Sequence, residues 1–146
     1  MARRSNRAGT IGLVVMVAGV IFAVAGVVTW FVVADQLAAE NITVSEDAAF
    51  LAGSDVTGPF AAYAEAQVIN QHALDATGGK TYAELERDDP ARETAMQASF
   101  LRASLFTSVV AFGVAALATV LGILLVLIGW ALREPQPAAE VSTSSV

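Results

Sequence analysis

Two long stretches without a charged residue set the pattern of this chain. Residues 10–34 are rich in Val, Ile, Ala and Gly, and residues 103–132 repeat that character. At 1.5 Å of helical rise per residue, even the shorter stretch measures about 37 Å, enough to cross a ~30 Å hydrocarbon core with some tilt. A lipid-embedded backbone must satisfy its hydrogen bonds internally, so both stretches predict transmembrane helices. The predicted fold is an all-α membrane protein. Its two transmembrane helices, 10–34 and 104–132, form a hairpin joined by a mostly helical segment, 35–103. Residues 1–9 make a basic N-terminus, and residues 133–146 read as a disordered tail.

Basic residues predict the orientation. Arg3, Arg4 and Arg7 precede the first span with no acid among them, and Arg133 follows the second. Between the spans, twelve Asp and Glu residues face only Lys80, Arg87, Arg92 and Arg102. The positive-inside rule then places both termini in the cytoplasm, the acidic segment outside and the chain in the plasma membrane. The basic start and the following apolar run resemble a signal peptide. That run is far longer than the usual ~7–15 residues, so an uncleaved anchor is expected. Trp30 and Phe31 near one end and Trp130 near the other are expected at headgroup level.

Lipid tails give helices no hydrophobic reason to associate, so close backbone approach has to supply the attraction. The first span offers Gly12, Gly19, Ala23 and Gly26 on one face; the second offers Ala111, Ala115, Ala118 and Gly122. These ridges suit an antiparallel hairpin. The alternatives are that one ridge faces a larger partner protein, or that the alignment arises by chance in an Ala- and Gly-rich chain.

In the connecting segment, residues 35–40 read as a continuation of the first helix and residues 41–44 as a short extended piece. Thr57-Gly58-Pro59 opens a helix to about Ala76, with Thr57 as the candidate cap, and Thr77-Gly78-Gly79 ends it. Phe60, Ala64, Val68 (or Gln67) and Gln71 form one strip on it, with Ile69, Ala73 and Ala66 beside it, and the stripe is narrow enough to need another surface. Thr81 to Glu84 reads as a capping box that starts a short helix through Arg87. Asp89-Pro90 is the strongest start signal, and it predicts one helix over residues 90–132.

Composition agrees with a membrane setting. Hydrophobic residues make up 55% and charged residues 15%, with a mean hydropathy of +0.61, against about 25% charged in soluble domains. The net charge of −6 argues against nucleic acid as a partner. There is no Cys and a single His, so thiolate sites and paired imidazoles are excluded within the chain. His72 invites reading as a pH sensor or metal ligand, but the absence of a second His or Cys favours a surface or interface histidine. Glu84, Glu86, Asp88 and Asp89 lack the spacing and central Gly of a calcium loop, which favours a solvated acidic surface. Asn41-Ile42-Thr43 matches a glycosylation acceptor and is read as a chance match. No nucleophile motif or phosphate loop is present, and neither span holds an ionisable residue to carry ions. No catalytic residue, metal or cofactor is therefore expected.

Several strings carry a resemblance. They are GGKTYAEL (78–85), DDP (88–90) and ASFLRASLFTSVVAFG (98–113), supported by ENITV (40–44) and QVIN (67–70). Over roughly residues 35–132 the chain resembles a family of small actinobacterial two-span membrane proteins. Members are often labelled LigA-type aromatic ring-opening dioxygenases, and one mycobacterial relative is an association factor of the respiratory supercomplex. That label fails on chemistry: a non-haem iron oxygenase commonly needs two His and a carboxylate, and this chain has one His. The resemblance implies instead a non-catalytic accessory or assembly subunit of the cytochrome bcc–cytochrome oxidase supercomplex, with cytochrome bcc and terminal oxidase subunits and membrane lipids as partners. Aromatics and Arg are enriched at interface hot spots, so Phe60, Tyr63, Tyr82, Phe100 and Arg102 are the expected contact residues. The alternative is an independent envelope or stress-response protein that binds a periplasmic ligand or self-associates.

Overall fold

Three helices carry the fold: α1 (Ala2–Ala39), α2 (Pro59–Ala76) and α3 (Ala91–Ala131). The computed structural model describes residues 2–134, so most of the expected disordered tail lies outside the described residues. Among the described residues there is no strand, only an isolated antiparallel bridge between Thr43 and Asp55 in the expected extended piece. The chain is all-α. Both α1 and α3 are long and apolar enough to cross a membrane, with windows of mean hydropathy 2.8 and 2.7. Only 17% of each window is buried, whereas the core helix of a soluble protein would bury most of it.

Local chemistry explains where the helices begin and end. Beyond the uncharged run, α1 continues to Ala39 and stops where Asn41 takes a left-handed φ of 51°, with its Nδ2 donating to the Ala39 carbonyl at 3.0 Å. Helix α2 starts at Pro59, as expected. Its N-cap position is Gly58, which offers no side chain, so the expected Thr57 cap is not made. At the other end Gly78 adopts φ 65° and Gly79 donates its N–H to the Leu74 carbonyl at 2.7 Å. That is a Schellman closure, which needs a residue tolerant of positive φ. The start of α3 follows its signal: Asp89 Oδ1 accepts the Ala91 N–H at 2.8 Å. Asp89→Ala should cost about 1 kcal/mol, read as earlier amide exchange over the first turn of α3; unchanged exchange would show that the cap contributes nothing.

The expected short helix over residues 81–87 does not form. One turn closes, with the Glu84 N–H on the Thr81 carbonyl at 3.0 Å, and the chain then leaves helical geometry. The Leu85 carbonyl is taken by Arg92 Nη1 at 2.6 Å, and the Arg92 guanidinium lies over the Tyr82 ring at 4.1 Å. Proline at residue 90 also disfavours helical geometry just before it.

The chain divides into two units, Met1–Val24 with Ala118–Val146, and Ala25–Leu117. The first holds an antiparallel pairing of α1 and α3 whose seam is glycine. A Cβ placed on Gly12 would stand 2.7 Å from the Gly129 carbonyl oxygen, and one on Gly19 would stand 2.6 Å from that of Gly122. The second unit has a core built from Leu37, Val44, Val56, four alanines of α2, Leu105 and Phe112. Trp30 closes on Phe112 edge to face, with ring centroids 4.7 Å apart.

Candidate functional site

The ridge residues occupy distinct positions. Gly12, Gly19 and Gly26 are buried on α1, and Ala115, Gly122 and Gly129 are buried on α3. Ala23, Ala111 and Ala118 are half-buried. Both buried sets recur every seven residues, the period that keeps one helix face on its neighbour in a left-handed crossing. In the first unit, Gly12 and Gly19 of α1 meet Gly129 and Gly122 of α3, so there the two ridges face each other rather than a partner protein. Gly129 escaped the sequence reading because the alanines before Gly122 drew the ridge one heptad too far outward. The seven-residue interval from Gly122 was the signal that pointed to it.

The connecting segment is organised by a carboxylate the sequence did not single out. Glu65 on α2 is buried, and it accepts the Ser45 N–H at 2.8 Å and the Ser45 hydroxyl at 3.1 Å. Residues 42–56 fold back on themselves, with Val44 N–H on the Ser54 carbonyl and Val56 N–H on the Ile42 carbonyl, at 2.8 and 2.9 Å. Glu65 anchors this loop to the helix. The buried face of α2 is Ala61, Ala62, Ala64, Glu65, Ala66 and Val68. The expected strip is therefore rotated, and Phe60 stands 76% exposed.

His72 reaches the same loop from the solvent side, its Nε2 lying 2.6 Å from Asp47 Oδ2. The hydrogen bond from His72 is the main reason that the Asp47 carboxyl sits below its ordinary value of 3.8. A carboxyl with a depressed folded pKa adds stability above the unfolded value and loses it as pH falls through the lower folded one. The Asp47 contribution therefore vanishes only below about pH 3.8. In His72→Ala, the Asp47 carboxyl should titrate closer to 3.8 by carbon NMR; an unmoved midpoint would show that the histidine does not hold it.

The five expected contact residues differ in exposure and in neighbours. Phe60 and Phe100 are the most open, at 76% and 69% exposed. Tyr63 stacks with Phe50 at 6.5 Å and meets Phe106 edge to face at 5.9 Å. Tyr82 lies under Arg92, and the Arg102 guanidinium sits 6.0 Å from the Phe106 ring centre. A shallow groove of about 170 Å³ runs between Ala38, Asn41, Ile42, Asp55, Val56 and Thr57. Asp55 is its one carboxylate, and no base stands opposite it. Among the described residues no group of three or more His, Asp or Glu is placed to hold a metal. The Glu84 carboxylate turns back to Thr81, accepting its N–H at 2.8 Å and its hydroxyl at 2.7 Å. These two bonds, that from the N–H first, hold the Glu84 carboxyl below its ordinary value.

No protein-family model matches the chain, and no curated protein or solved structure is significantly similar to it.

Proposed function

We propose that this chain is a non-catalytic accessory or assembly subunit of a membrane complex, specifically the actinobacterial cytochrome bcc–cytochrome oxidase supercomplex. Both termini lie in the cytoplasm and residues 35–103 on the outer side of the plasma membrane, following the distribution of Arg and Lys. The choice of complex rests on the resemblance carried by residues 78–90 and 98–113.

The observation that carries an accessory role is the way the connecting segment spends its side chains. Its packed helix buries alanines and one carboxylate, while Phe60 and Phe100 point outward, mostly exposed. Large aromatics left open beside a small-residue core suit a surface completed by another protein. The exposed residues of α1 and α3 are uncharged over both runs, which suits a lateral position in a larger assembly rather than an ion path of its own.

A tagged copy recovered from native actinobacterial membranes in mild detergent tests this reading. Near-stoichiometric cytochrome subunits by mass spectrometry, with haem bands in the reduced-minus-oxidised spectrum, are expected. Recovery of the chain alone and without haem would overturn the proposal and leave the self-associating envelope protein in its place. Phe60→Ala with Phe100→Ala should lower the yield of cytochrome subunits about tenfold or more, since hot-spot aromatics contribute about 2 kcal/mol each when truncated.

A further inference from the structure

The acidic connecting segment gathers two of its four bases around one cavity. Lys80, from the turn after α2, and Arg102, on α3, both line a cleft of about 50 Å³ together with Asn70, Thr81, Tyr82 and Ser99. The other two bases are accounted for: Arg92 is bound to the Leu85 carbonyl and the Tyr82 ring, and Arg87 is exposed. Among the described residues the one ion pair is that of His72 with Asp47, so neither Lys80 nor Arg102 has a carboxylate within 4.0 Å. The Glu84 carboxylate does not itself line the cleft, though it accepts both donors of Thr81 and attracts Lys80 from a longer distance. Arg102 also carries a buried Nε with no hydrogen-bond partner. Twelve acids populate residues 35–102, yet none lines this cleft. Its two bases make the cleft cationic.

Its size and depth specify the anion further. The volume is several times the ~10–15 Å³ that a single water needs, which suits a group with the four oxygens of a phosphate. Arg102 is the last charged residue before the uncharged run 103–132, and Trp130 marks the far end of that run. Where α3 crosses a bilayer, the charged residue that borders its uncharged run belongs toward the headgroups. We propose that Lys80 and Arg102, with Asn70 and Tyr82 beside them, form a binding site for the phosphate of an anionic phospholipid headgroup. This rests on α3 crossing a bilayer and not on the identity of any protein partner, and it takes Arg102 out of the expected protein contacts.

The full chain, delipidated in mild detergent, is titrated with phosphatidylglycerol or phosphatidylcholine and followed by native mass spectrometry. Phosphatidylglycerol should bind more tightly. A base near an anionic lipid surface contributes about fivefold in affinity, so Lys80→Gln with Arg102→Gln should lower phosphatidylglycerol binding by roughly 30-fold. Arg87→Gln should leave it unchanged. Helical circular dichroism checks that the double variant folds; where it does not, Lys80→Gln alone should still lower binding by about fivefold. Equal binding of the two lipids, or an undiminished preference in folded variants, would overturn the proposal. Inorganic phosphate that displaces the lipid at comparable concentration would overturn it too, by assigning the cleft to a soluble anion.

Discussion

Gly122→Leu should separate the paired helices of the first unit. A Cβ at Gly122 overlaps the backbone nitrogen of Ala23 and stands 2.6 Å from the Gly19 carbonyl oxygen. Both obstacles are backbone, which cannot rotate aside as a side chain would. The helices must move apart, and the full leucine then requires several further ångströms. Overpacking costs about 1–3 kcal/mol even where side chains can yield; here the upper end or beyond is expected. Close approach is also the source of the attraction in lipid, since no hydrophobic effect replaces lost contacts there. The protein has no cysteine, so spin labels on Val20→Cys and Leu121→Cys, both exposed positions, report the pairing without background. The distance distribution should lengthen and broaden in Gly122→Leu. Gly113 has open space around it, so Gly113→Leu should leave the distribution as it was. An unchanged distribution in Gly122→Leu would discard the seam.

Glu65→Ala should release the loop over residues 42–56 from α2. The carboxylate satisfies the Ser45 N–H and hydroxyl at 2.8 and 3.1 Å in a half-buried setting. Hydrogen bonds to a charged group contribute about 1.5–3 kcal/mol each. Removing the acceptor also strands two donors. Against this stands the cost of burying a carboxylate, which the alanine variant recovers. The bonds win this balance, because both Ser45 donors converge on one acceptor and no other group replaces it. The expected loss is about 2 kcal/mol for the second unit, read as faster amide exchange at Val44 and Val56. Glu65→Gln keeps an acceptor without the charge and should lose less than half as much. A glutamine variant more stable than the parent would show that desolvation outweighs the bonds.

What the sequence disclosed and what it concealed follow from the range of each interaction. Helix limits rest on local chemistry, and Asp89 with Pro90, Gly58 with Pro59 and the Gly78-Gly79 stop are all visible within a few residues. The failure at residues 81–87 has a definite cause: Thr81 and Glu84 read as a helix start, but Arg92 claims the Leu85 carbonyl from seven residues further on. Periodicity found the glycine face of α1, because each member repeats at a helical interval. On α3 it found Gly122 and the buried Ala115 but stopped short of Gly129, since the alanines before Gly122 drew the ridge the other way. Contacts across the fold left no local trace. Glu65 reaches Ser45 across twenty residues and His72 reaches Asp47 across twenty-five, and neither pair has any spacing that distinguishes it from polar residues facing water. Lys80 and Arg102 were likewise visible only as bases in an acidic segment until the fold brought them to one cleft.

The seven-residue interval on both helices has a consequence for alignment. Sliding α3 along α1 by one interval, about 10 Å, would again set small residues opposite small ones: Gly12 against Gly122, Gly19 against Ala115, Gly26 against Ser108. A seam of glycines is thus degenerate, holding two helices close without specifying which rung meets which. The Trp30–Phe112 contact has no copy one interval away, because Trp30 would there meet residue 105, a leucine. Within the second unit, alignment therefore rests on that ring pair together with Leu37 and Leu105 of the same core, and exchanging the rings for small residues would remove its largest contact that a slid register cannot copy.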